Sequence, residues 1–163
     1  MTLAYPSRLD LVALTITAVA FTTLRRVGTF LPASTKLAKN FSWILPSYIR
    51  HHADSETMLI WIPKHKGDPT GKGFVLTVKP TYDSCCPINL ILRLLEGREG
   101  NAPLFTTPTR IPLQSWLLGW MRRRMAELGK KPNLYSLRSI RQGATTTASE
   151  VDMPEVFLRA SGG

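Results

Sequence analysis

Arginine and lysine at the ends of elements are the residues of this chain best suited to chemistry. Arg25 and Arg26 close an apolar stretch. Lys64, Lys66 and Lys72 crowd a turn rich in Gly and Pro, and Arg138 and Arg141 open a stretch rich in Ala and Thr. A guanidinium offers a planar fork of N–H donors that fits phosphate oxygens in pairs, and a lysine adds a compact charge. Two arginines and a lysine on one phosphate would stabilise the equatorial oxygens of a phosphoryl-transfer transition state without a metal. Each group alone has an ordinary reading. A single Arg at a helix end is a solvated charge complementing the helix dipole, and a lysine-bearing turn is a soluble tip.

Other chemistries find little support. His51, His52 and His65 are the only histidines, and they form no Ser/His/Asp arrangement and no His/Glu metal motif. Gly71 and Gly73 belong to a turn between apolar runs and not to a strand–helix phosphate loop. Cys85 and Cys86 are adjacent, a spacing that suits neither a zinc site nor a disulfide between them. No metal and no cofactor is therefore expected, and the cysteine usage suits a reducing compartment, nuclear or cytoplasmic.

The 163 residues fit one domain with a real core, and 44% hydrophobic residues argue against disorder throughout. Lys plus Arg number 21 against 11 Asp plus Glu, a net charge of +10. Such an excess suits a polyanion such as nucleic acid or an anionic membrane surface, although charge informs association and not fold. Leu9–Leu24 is apolar, but it carries Asp10 and four threonines and is short for a membrane span. It reads as a buried helix.

The elements that would position the basic groups follow from periodicity. Residues 8–24 have Leu9, Val12, Ile16, Val19 and Ala20 at helical spacing, with Ser7 as N-cap and Gly28 as a stop. Met58–Ile62 and Gly73–Val78 are short apolar runs around the turn formers of 63–73, which predicts a β-hairpin. A further strand is expected around Tyr48–His52. Pro87 suits the first turn of a helix over Ile88–Glu96. Leu113–Leu128 reads as a helix with Leu113, Trp116, Leu117, Trp120 and Met121 on one side, closed by Gly129. Ser139–Val151 reads as another helix, and Pro154–Ala160 begins a last one. The expected fold is mainly α with a small antiparallel β-sheet, an α+β domain spanning 1–163.

Several blocks resemble the catalytic domain of tyrosine recombinases and phage integrases, and especially the recombinases of DIRS-type retrotransposons. Leu24-Arg25-Arg26-Val27-Gly28-Thr29 is similar to the family's Leu-Arg-x-Gly-Glu, with Arg26 at the catalytic Arg position and Thr29 replacing the Glu. Lys64-His65-Lys66-Gly67-Asp68 resembles the family's hairpin turn, with Lys66 in place. Cys86-Pro87 and Pro103-Leu104-Phe105 match the starts of the next helices. Arg138-Ser139-Ile140-Arg141, followed by an Ala/Thr helix, Pro154 and Gly162-Gly163, resembles the His-Ser-x-Arg block. In that register Arg141 takes the second catalytic Arg position and Arg138 the His position. A shifted register, Tyr135-Ser136-Leu137-Arg138, would place Tyr135 at the His and Arg138 at the Arg.

The resemblance implies a recombinase-like core that breaks and rejoins duplex DNA through a phosphotyrosine link. It implies Arg26, Lys66, Arg138 and Arg141 as the catalytic set, with Lys66 also a proton donor to the 5′-oxygen. Arg25, Lys64, Lys72 and Tyr135 are then expected to contact DNA, with self-association on DNA left open. The family's next His or Trp and its nucleophilic Tyr would follow Gly163, so the chain reads as a partial catalytic domain that is inactive alone. Two other readings stand beside it: an inactive DNA-binding module that keeps the basic surface, and a basic helical domain using Leu113–Leu128 against a protein or membrane partner.

Overall fold

Ser7 starts the first helix. Its hydroxyl accepts the Asp10 N–H, and the Asp10 carboxylate accepts the Ser7 N–H, a reciprocal capping box. The computed structural model describes residues 7–63, 71–98, 100–107 and 109–151. Helix α1 spans Arg8–Thr22, and Leu11, Val12, Ala13, Thr15, Ile16, Val19 and Ala20 are buried. The apolar side chains are buried nearly all round, which suits a central helix. Thr15 hides its hydroxyl by donating to the Leu11 carbonyl at 2.7 Å.

The helix ends two residues earlier than its apolar pattern. Thr23 is the C-cap, and Leu24 turns the chain through a left-handed φ of 57°. A 3₁₀ turn at Val27–Thr29 follows, and then the short helix α2 at Thr35–Ala38, capped by Ser34. Three strands form one antiparallel sheet in the order β1 (Ile49–His52), β2 (Thr57–Ile62) and β3 (Phe74–Val78). The expected hairpin and the preceding strand are both present. In β2, Met58, Ile60 and Ile62 face the core, and in β3 Leu76 and Val78 do the same. The other face carries Trp61 opposite Val75 and Leu59 opposite Thr77. The tip of the hairpin at 64–70, with Lys64 and Lys66, lies outside the described residues.

Three further helices complete the described chain: α3 (Pro87–Leu95), α4 (Gln114–Glu127) and α5 (Leu137–Glu150). Helix α1 packs against α3 and α5, and α5 touches α4. Leu104 and Phe105, from the loop before α4, are buried with Phe30, whose ring meets Phe105 edge-on at 5.9 Å. Leu117, Trp120 and Met121 of α4 are also buried in this core. Leu113 and Trp116, on the same side of the helix, are half-buried. No helix among the described residues is long and apolar enough to cross a membrane. Cys85 is exposed and Cys86 buried, and both are free thiols.

Much of the basic charge holds the fold. Arg8 donates to the carbonyls of Arg93, Leu94 and Glu96, taking up acceptors left open at the end of α3. Arg98 reaches into the following loop and donates to the carbonyls of Ala102, Pro103, Leu104 and Thr106. Arg122 Nε donates to the Tyr135 carbonyl at 3.1 Å. Arg124 pairs with Asp10 at 3.0 Å and Glu127 at 2.8 Å, and lies over the Trp120 ring.

Candidate functional site

Helix α5 begins at Leu137, two residues before the start read from its Ala/Thr pattern. The cause is a second capping box: the Ser136 N–H donates to the Ser139 hydroxyl at 3.0 Å, and the Ser136 side chain accepts from the Ser139 backbone. Arg138 and Arg141 therefore lie three apart within the first turns of a helix, a spacing that puts both on one side. Ile140 between them is buried and holds the helix to the core.

From the other end of the sequence comes Arg26. The left-handed turn at Leu24 ends α1, and Arg26 leads into the 3₁₀ turn with an extended backbone (φ −74°, ψ 142°). Arg26, Arg138 and Arg141 line one open cleft of about 950 Å³. Gln114, Gln142 and Thr145 line it as well. Arg26 and Arg138 are exposed and Arg141 is half-buried. None of the three guanidinium groups has an ion-pair partner among the described residues. Among the described residues, no carboxylate lines the cleft.

Two helix N-termini add to the positive field. Leu137 and Arg138 begin α5, Gln114 begins α4, and all three residues line the cleft. A helix N-terminus carries exposed N–H groups and a partial positive charge, so both ends favour an anion there. Helix α4 has no side-chain cap at Leu113. Gln114 is fixed by donating from Nε2 to the Leu31 carbonyl at 2.9 Å. Gly28 packs beneath it, where an added Cβ would meet Gln114 Nε2 at 3.4 Å.

Arg25 goes elsewhere. Its guanidinium carbon stacks 4.4 Å from the centre of the Phe74 ring, and its Nε is buried without an acceptor among the described residues. Burial and the neighbouring charge of Arg141 hold its pKa below the usual guanidinium value. Arg25 lines a second cleft on the far side of α5 and not the first. Lys72 is exposed and lines neither cleft. Tyr135 is half-buried against the core, where Arg122 holds its carbonyl, and it also lines neither cleft. Of the catalytic set implied by the resemblance, three members share a cleft and the fourth, Lys66, lies outside the described residues, as does Lys64 of the expected DNA contacts. Sequence reasoning missed Gln114, Gln142 and Thr145, whose types carry no special chemical signal.

Comparison with protein-family models, with curated proteins and with solved structures finds no match for this chain.

Proposed function

We propose that this chain is a DNA-binding domain of the tyrosine recombinase type, which holds a backbone phosphodiester on Arg26, Arg138 and Arg141. One observation carries the reading: three arginines from opposite ends of the sequence line one open cleft, with no carboxylate among the described residues to neutralise them. Like charges gathered without a counter-ion repel one another, so a built cluster of this kind suits an anionic ligand. Two helix N-termini at the same cleft favour the same ligand. The order of elements, an Arg after the first helix, a three-stranded sheet, then an Arg-bearing helix, suits the resemblance.

Within this reading the chain binds phosphate and does not cut it unaided. The chemistry implied by the resemblance is attack of a tyrosine on the phosphodiester, forming a 3′-phosphotyrosine and releasing a 5′-hydroxyl. This chain supplies the charge that stabilises the phosphoryl oxygens. Arg138 stands where an acid–base His would be, and a guanidinium keeps its proton. The described tyrosines, Tyr48, Tyr82 and Tyr135, do not line the cleft.

The test is a titration of labelled duplex DNA across salt concentrations, with a nicked suicide substrate run on a denaturing gel in parallel. The expected result is weak, salt-sensitive binding with little sequence preference and no covalent adduct. Undetectable binding at low salt would contradict the DNA reading. An adduct lost with Tyr135→Phe would contradict the binding-only role.

A further inference from the structure

Helix α5 divides two clefts. Residues 138, 141, 142, 145 and 146 line the first, and residues 144, 147, 148 and 151 line the second. The second is an open cleft of about 620 Å³ between α5, the end of α1 and the outer face of β3. Its volume falls within the range of small-ligand pockets, about 300–1,000 Å³.

Its lining is of two kinds. Phe21, Val75 and Val151 are large apolar residues left 38%, 55% and 70% exposed, and all three line this cleft. Arg25 and Lys79 supply two cations, and no Asp or Glu among the described residues lines the cleft. Arg25 brings a half-buried guanidinium, stacked over Phe74. Thr77 and Thr147 also line the cleft, and their hydroxyls have no partner among the described residues.

An aromatic ring and an aliphatic side chain beside two cations suit a flat apolar ring carrying a negative group. A peptide carboxylate would use the cations but leave Phe21 and Val75 uncovered. A bare phosphate would do the same. We propose that the second cleft takes one unpaired nucleotide of a nucleic-acid strand, its base against Phe21 and Val75 and its phosphate on Arg25 and Lys79. Base-on-aromatic stacking tolerates any base, so the site reads strand state and not sequence. The inference takes from the proposed function only the class of ligand, since the two clefts share no lining residue.

The test measures anisotropy with three labelled probes: a short blunt duplex, the same duplex with a single-stranded thymidine tail, and the same duplex with an abasic tail of equal length. The abasic tail has the same phosphates and no bases, so the ratio between the tails isolates stacking. The expected ratio is about tenfold in favour of thymidine, at the lower end of measured base–aromatic stacking. Phe21→Ala should bring the ratio close to one. Val75→Glu, at an exposed strand position, should weaken binding of the thymidine-tailed probe to that of the blunt duplex or below it. Equal affinity for the two tails in the unmodified protein, or a ratio unchanged in Phe21→Ala, would overturn the proposal. Binding of the thymidine tail without binding of the blunt duplex would support this cleft and remove the duplex reading of the first. Failure to bind any probe would remove both.

Discussion

Burial first, and beside it the charge of Arg141, hold the Arg25 guanidinium below its usual pKa. One lines each cleft, and neither has a carboxylate partner among the described residues. The pair is unfavourable in the free protein and tolerable once anions are bound. Arg141→Gln should therefore stabilise the free protein by about 0.5 kcal/mol, the scale of a single partly exposed charge pair. The same change should weaken DNA binding, a trade of function for stability. Thermal melts with and without inorganic phosphate check this. Phosphate should raise the Tm of the unmodified protein more than that of the variant.

Asp10 ties α1 to α4. It accepts from Ser7, from Trp120 Nε1 at 2.7 Å and from Arg124 at 3.0 Å. These contacts hold its pKa at about 2, below the usual 3.8. A carboxylate whose folded pKa is depressed contributes stability above its unfolded pKa and loses it as pH falls through the folded value. That contribution should be complete above about pH 5 and fade between about pH 4 and pH 2. Asp10→Asn should cost about 1–2 kcal/mol at pH 7. Urea midpoints at both ends of that window should show the difference between the proteins shrinking in acid.

Arg98 separates structural from functional arginine. Its loss would leave the carbonyls of Ala102, Pro103, Leu104 and Thr106 without this donor. Arg98→Ala should cost about 2–4 kcal/mol, several partly buried acceptors being left open at once. Affinity for DNA of the folded protein should stay within about twofold, because Arg98 lines neither cleft and an exposed charge beyond a Debye length is largely screened. Chemical denaturation and DNA titration on the same variant measure the two effects.

Gly73 sits where the hairpin rejoins β3, at a φ of 69°. A Cβ there would lie 2.4 Å from the Ile62 carbonyl oxygen and 2.9 Å from the Trp61 ring. Gly73→Ala should cost about 1–3 kcal/mol through backbone strain and that collision. Denaturant midpoints report the loss.

The elements were legible where a local signal agreed with the core. Ser7 marked the start of α1, Pro87 the start of α3, and the short apolar run Met58–Ile62 the position of β2, while which of its residues face the core came only with the packing. Two boundaries slipped for stated reasons. Leu24 bends the chain through a left-handed φ that favours glycine, so its apolar type counted towards a helix it does not join. Ser136 and Ser139 cap α5 reciprocally, a box made without the usual Glu or Gln. In the site, Arg26, Arg138 and Arg141 could be singled out by type and setting. The opposite course of Arg25, and the packing of Tyr135 on the core, depend on tertiary contacts with Phe74 and Arg122. Nothing in the spacing of those residues announces either contact.

The salt dependence of duplex binding tests the central claim most directly, with Arg26→Gln, Arg138→Gln and Arg141→Gln measured beside the unmodified protein. Each phosphate neutralised by the protein contributes about −0.9 to the slope of log K against log salt concentration. Removing one of three charges that share a phosphate should weaken binding at every salt concentration and make the slope shallower by up to about 0.9. The double variant of Arg26 and Arg141 should fall short of the sum of the single losses, as residues acting on one group do. Affinities and slopes unchanged in all three single variants would contradict the assignment of this cleft to DNA phosphate.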